Sequence, residues 1–183
     1  MGILQYTVDQ AGALILAIPS ALVIMLSREW FCSRMAGDKE AQPFNEFSLL
    51  SFASLSLNGI APGGILRDQP PAFLRFFYGQ IWLLILIVLG CTYVLIKGPA
   101  ADTFSARFSA VFLTQAWAML IINFLPLPPF DAAAAYLGPY MQWRAFSIAV
   151  TVLSAAALIL FSYTFWRSDF LTGKFLIRWL KLT

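Results

Sequence analysis

Histidine is absent from the 183 residues of the chain, and only 11% of its residues are charged. Without histidine there can be no Ser-His-Asp or Cys-His nucleophile pair, no histidine-ligated haem and none of the histidine-containing zinc sites. The two cysteines, Cys32 and Cys91, are too few for a disulfide framework or for a metal site built from cysteine alone. These absences exclude much of the chemistry that enzymes use.

The shortage of charge accompanies a hydrophobic content of 60%. Ordinary globular chains are about 25% charged, and a chain with less than half of that cannot cover its surface with polar groups. Disorder is excluded as well, since it needs low hydrophobicity and high charge. The basic residues lie between apolar runs rather than in one patch, which argues against nucleic-acid binding. The composition predicts an all-α, polytopic integral membrane protein, with no cofactor indicated.

Five uncharged runs are candidates for membrane crossings, which need about 20 mostly apolar residues. They lie at about 10–27, 47–66, 76–96, 108–130 and 145–166. Residues 28–43 are interpreted as a polar connection. Residues 170–182 interleave apolar side chains with Lys174, Arg178 and Lys181, which predicts an amphipathic helix at the membrane interface. The sequence therefore predicts one membrane domain, 1–183, with about five transmembrane helices and a C-terminal interfacial helix.

The second run, 47–66, is interrupted by glycine and proline, so it either crosses the membrane or re-enters it. If it crosses, one side carries nine basic residues and the other three, the three being Arg67, Arg75 and Arg144. If it re-enters, the split is six and six. Because cytoplasmic loops carry an excess of Lys and Arg, the uneven split favours five crossings with a cytoplasmic C-terminus.

The fourth run ends in Asn-Phe-Leu-Pro-Leu-Pro-Pro-Phe-Asp at 123–131. Proline stops a helix, and a carboxylate at membrane depth is costly and by default indicates function. This stretch resembles the Asn-x-x-Pro-x-Pro-x-x-Asp-Gly motif of the site-2 protease family of intramembrane zinc metalloproteases. Asn123, Pro126, Pro128 and Asp131 match the motif position by position. Weaker matches are Gly-Asp at 37–38 and the glycine-rich run at 59–64.

The resemblance implies a zinc ion held by the motif's Asp and by two histidines of His-Glu-x-x-His, whose Glu acts as general base. Here that second motif is missing. One register places it at 25–29; another, at 28–32, keeps Glu29 and offers Cys32, but puts Arg28 where a ligand is required. At most two ligands remain where a catalytic zinc normally has three. We therefore expect no catalytic residue, no bound metal and no enzymatic activity, with Glu29 and Cys32 as possible relicts.

The roles of two motif residues stay open at this point. Asp131 precedes an alanine-rich stretch and can cap a helix N-terminus, form an ion pair with an arginine such as Arg28, or serve in catalysis or metal binding. Asn123 is expected to hydrogen-bond exposed backbone where the helix is broken, because unsatisfied groups in lipid are costly.

Several functions compete. An aspartyl protease needs two facing carboxylates, and Asp131 is the only acid inside an apolar run. The leading hypothesis is a catalytically inactive site-2-protease-like protein that is an accessory or structural subunit of a larger membrane complex, in contact with lipid and with other membrane-protein subunits. The alternatives are a regulatory pseudoprotease that binds single-span clients, a residual metalloprotease, and a small transporter built on the broken segments 58–64 and 123–131.

Overall fold

The computed structural model describes residues 11–35, 72–98, 100, 103–124, 132, 135–136 and 173–182. All regular structure in these residues is helical, and the helices are α1 (Ala11–Met35), α2 (Ala72–Lys97), α3 (Phe104–Ile122) and α4 (Lys174–Trp179). The first three are long and apolar enough to cross a membrane, over Ile15–Met35, Phe76–Lys97 and Phe104–Ile122. This confirms the coarse prediction of an all-α chain with membrane-spanning helices. The spans predicted at 47–66 and 145–166 lie outside the described residues.

Helices α1 and α2 pack antiparallel. Near the end of α1, the Oγ of Ser27 accepts a hydrogen bond of 2.9 Å from Nε1 of Trp82. One turn later, Phe31 meets Tyr78 edge to face, with ring centroids 6.5 Å apart. A later residue of α1 therefore faces an earlier residue of α2, and the C-terminal end of α1 lies beside the N-terminal part of α2.

Helix α3 packs antiparallel to α2 and therefore parallel to α1. Phe76, near the start of α2, meets Phe124, just beyond α3, with ring centroids 5.4 Å apart. Further along α2, Gly90 lies against the side chain of Leu113. All three helices contact one another, so they form a three-helix bundle.

The core of the bundle lies on one face of each helix. On α1 the buried positions recur every three or four residues, as expected of an α-helix with a single core-facing stripe. Alanines allow close approach of the backbones, and the Nε2 of Gln115 donates to the carbonyl oxygen of Ala17 at 3.4 Å. The main cluster is formed by Ala21, Ile24, Met25, Leu83, Leu86, Ile87, Val94, Ala106, Leu113, Ala116, Met119, Leu120, Ile177, Leu180 and Leu182.

The boundary predicted for the first span is wrong. The helix does not end at residue 27 but continues into the predicted polar connection, 28–43, as far as Met35. The reason is that Arg28 and Glu29 are both buried and bind each other, so their charges do not force the chain out of the bundle. Ser33 Oγ also donates to the carbonyl oxygen of Glu29 at 2.8 Å, within the same helix.

The end of α1 and the start of α2 lie at the same end of the bundle, because the two helices are antiparallel. Residues 36–71, which connect them, lie outside the described part of the chain. The five crossings and the cytoplasmic C-terminus therefore stay predictions.

The span predicted at 108–130 is an α-helix over Phe104–Ile122. It begins four residues early because Thr103 caps it: the hydroxyl accepts from the N–H of Ala106 at 3.2 Å, satisfying one of the free donors of the first turn. It ends before the prolines, as the motif predicts. Residues 125–130 lie outside the described part of the chain.

The helix predicted near the C-terminus is shorter than expected. Helix α4 covers six residues instead of the predicted range 170–182. Its buried residue is Ile177, and Trp179 of the predicted apolar set is 67% exposed. Phe175 contacts Trp117 of α3 edge to face at 5.2 Å, so this short helix packs on α3.

Candidate functional site

The buried face of α1 changes from apolar to polar toward its C-terminal end. Ala21, Ile24 and Met25 lie in the core, and one turn later Arg28 and Glu29 occupy the same face. Their side chains form an ion pair, with Nη1 of Arg28 3.0 Å from Oε1 of Glu29. The core stripe of this helix thus ends in two opposite charges that are almost completely removed from solvent.

Glycine at position 79 provides the space for the arginine. A Cβ atom at Gly79 would lie 2.6 Å from Nη2 of Arg28 and 2.9 Å from Nε. Contacts below 3.0 Å require something to move, and here the guanidinium that is paired with Glu29 would have to shift. The residue without a side chain therefore allows α2 to pack directly on the buried cation.

Cys32 completes the relict positions predicted on α1. It is buried, one turn beyond Arg28, so Arg28, Glu29 and Cys32 share the inner face of the helix. This is the arrangement required by the register at 28–32. Within the described residues no group of three or more His, Cys, Asp and Glu side chains could hold a metal ion. That Glu29 and Cys32 bind no metal ion stays a prediction.

Asn123 lies at the same end of the bundle, at the C-terminal cap of α3, and is fully buried. Its backbone N–H donates to the carbonyl of Met119 at 3.2 Å, and its own carbonyl accepts from the N–H of Ala132 at 3.1 Å. The chain therefore returns to the end of α3 directly after the motif. The predicted hydrogen bond from the Asn123 side chain to exposed backbone is not formed with the described residues, where both atoms of its amide are buried without a partner.

The rest of the motif cannot be placed. Pro126, Pro128 and Asp131 lie outside the described residues, so the predicted roles of Asp131 as cap, ion-pair partner or ligand stay predictions. One of its predicted partners, Arg28, is bound by Glu29.

Gln80 is a site residue that the sequence reasoning missed. It lies inside α2, which was interpreted as a uniformly apolar span, and is only 5% exposed. Neither atom of its side-chain amide forms a hydrogen bond. The helical register could have located it, because Phe76, Gln80, Leu83 and Ile87 follow the spacing of one buried face.

These residues define one region, which we call the polar end of the bundle: Arg28 and Glu29 from α1, Gln80 from α2 and Asn123 from the cap of α3. Gly79 of α2 lies beside the guanidinium of Arg28, and Phe76 of α2 contacts Phe124 at the α3 cap. Both contacts lie near the start of α2, so these residues are at the same end of the bundle. The described residues of this region are a cation, an anion and two amides. Comparison of the chain with protein-family models, with curated proteins and with solved structures finds no match.

Proposed function

We propose that the protein is a catalytically inactive, multi-pass membrane protein of site-2-protease-like type, acting as an accessory or structural subunit of a larger membrane complex. The observation that carries the proposal is the buried ion pair between Arg28 and Glu29. In the register at 28–32, it occupies the positions of the first zinc ligand and of the general base in the family.

The chemistry of the pair favours a structural over a catalytic role. A guanidinium is always charged, so Arg28 cannot donate a lone pair to a metal and repels a cation nearby. Glu29, bound at 3.0 Å to that guanidinium, is held as an ion-pair partner rather than aimed at a substrate. A helical scaffold that contains this buried pair can pack against and bind partner proteins without hydrolysing them.

The outer surface of α2 supports a role in assembly. Phe77, Leu84, Val88 and Leu95 lie on one side of this helix and are all exposed in the isolated chain. At 1.5 Å per residue the stripe is about 27 Å long, close to the hydrocarbon thickness of a bilayer. We call it the outer face of α2. Such a face is covered by lipid or by apolar helices of a partner.

The proposal is tested by purification from the native membrane combined with site-specific crosslinking. A photoreactive amino acid replaces Val88, which is 61% exposed on the outer face of α2, and in a matched variant replaces Ile15, which is 69% exposed on α1. The complex is extracted in mild detergent and its components are identified by mass. We expect a stoichiometric set of membrane-protein partners and a specific crosslink from Val88 to one of them, with Ile15 giving a different pattern.

Three results would contradict the proposal. Purification of the protein alone, with crosslinks from both positions only to lipid, would exclude a stable complex. Substoichiometric recovery with assorted single-span proteins would favour the regulatory alternative. Stoichiometric zinc, together with cleavage of a membrane substrate that Glu29→Gln abolishes, would show a residual metalloprotease.

A further inference from the structure

We infer that the polar end of the bundle is a closed hydrated chamber, in which Gln80 and Asn123 bind ordered water beside the Arg28–Glu29 pair. The inference concerns a ligand site and does not depend on the proposed function. It rests on two side chains that share an unusual property: each is buried in the helical bundle, and each has both polar atoms of its amide without a hydrogen bond.

The burial of these amides is nearly complete. Gln80 is 5% exposed and Asn123 is 0% exposed. A buried side-chain amide offers two donors and an acceptor, and it is costly to leave these groups unsatisfied, most of all within a membrane. Native proteins satisfy such groups with protein or with ordered water. Neither amide has a hydrogen-bond partner among the described residues, and ordered water is the partner that we infer for both.

The two amides belong to one region of the bundle. Phe76 and Gln80 are four residues apart and therefore lie on the same face of α2, one turn from each other. Phe76 contacts the ring of Phe124, which directly follows Asn123. Since α2 and α3 are antiparallel, Gln80 lies within about one turn of the level of Asn123. Gly79, the residue before Gln80, contacts the guanidinium of Arg28.

The occupant follows from size and charge. A peptide or a lipid headgroup cannot reach amides that are this deeply buried. Among the described residues of the region the charges of Arg28 and Glu29 balance, so they favour neither a cation nor an anion. The amides need a small neutral group that both donates and accepts hydrogen bonds, and buried water typically makes about three such bonds.

The test detects water at the amides directly, in the full-length protein in lipid nanodiscs. Asparagine and glutamine are labelled with ¹⁵N, and transfer of magnetisation from water to the side-chain NH₂ groups is measured. The chain has three asparagines, and the signals of interest are assigned by their disappearance in Asn123→Leu and Gln80→Leu. Gln115 is the comparison amide: its Nε2 donates to the carbonyl of Ala17, whereas its Oε1 is buried without a hydrogen bond to the described residues.

We expect stronger water cross-peaks from the NH₂ groups of Gln80 and Asn123 than from that of Gln115, which already donates to a carbonyl. Because the chamber is shared, Gln80→Leu should also weaken the water cross-peak of Asn123, and each leucine variant should lower the unfolding temperature. If neither amide or only one of them contacts water, the shared chamber is excluded. If the cross-peaks are absent and both leucine variants unfold at higher temperature than the parent, the site is dry and the inference is overturned.

Discussion

The buried ion pair of α1 allows a sharp prediction about stability. In Glu29→Met the carboxylate is lost while the chain length of the side chain is kept, and the guanidinium of Arg28 stays inside the bundle without its anion. At 3.0 Å and an effective dielectric constant of about 20, the attraction between the two charges is about 5.5 kcal/mol. Removing one partner of a buried pair costs about 3–5 kcal/mol, because the remaining charge is still desolvated. For a chain of this size that corresponds to a fall of about 6–20 °C in the unfolding temperature.

The double variant Arg28→Met/Glu29→Met separates charge from packing. Replacing both partners of a buried pair by apolar residues is often neutral or stabilising, by up to about 4 kcal/mol. We therefore expect the double variant to be at least as stable as the parent, although it contains the damaging single change. Arg34→Met is the matched control, since Arg34 is an exposed arginine on the same helix and its replacement should change stability by less than about 0.5 kcal/mol.

The assay is thermal unfolding in a single mild detergent, followed by far-ultraviolet circular dichroism and, in a Cys91→Ala background, by a thiol-reactive dye that reports exposure of the buried Cys32. Both probes should give the same order: Glu29→Met well below the parent, the double variant at or above it, and Arg34→Met unchanged. The reasoning is refuted if Glu29→Met unfolds at the parent temperature, or if the double variant is no more stable than the single one.

Three further changes test the contacts that position the site. Gly79→Ala inserts a methyl group against the guanidinium of Arg28 and should cost about 1–3 kcal/mol in thermal unfolding; a silent substitution would mean that the guanidinium can move freely. Trp82→Phe removes the hydrogen bond to Ser27 and should cost about 0.5–1.5 kcal/mol beyond the effect of the smaller ring. In a Ser27→Ala background the same substitution should lose this extra cost. Additive losses in the double-mutant cycle would count against the bond. Thr103→Ala removes the N-cap of α3 and should cost about 1 kcal/mol, whereas Thr103→Ser should retain most of the stability, and equal losses in the two variants would exclude the capping role.

Helix α2 shows what the sequence could predict well. The predicted span 76–96 matches the apolar part of the helix, Phe76–Lys97, although the helix itself begins four residues earlier, at Ala72. Composition is sufficient to locate such a span when the run has no internal charge.

The end of α1 shows why other boundaries were wrong. Reading along the chain, two charged residues in succession after an apolar run predict a loop. The two charges instead bind each other, and Gly79 of α2 leaves room for the guanidinium, which the local sequence does not reveal.

The polar end of the bundle combines both situations. Asn123 was identified because it belongs to a motif, and the early end of the helix before the prolines was predicted for a physical reason that the structure retains. Gln80 was missed because one uncharged amide hardly changes the hydropathy of a run, although its register places it opposite the cap of α3. A buried amide or ion pair contributes little net stability to such a bundle. It does destabilise alternative arrangements of the helices in which the group loses its partners. The polar residues of α1, α2 and α3 therefore specify how the three helices meet, while the apolar stripe around Ile24 and Leu83 supplies most of the favourable burial.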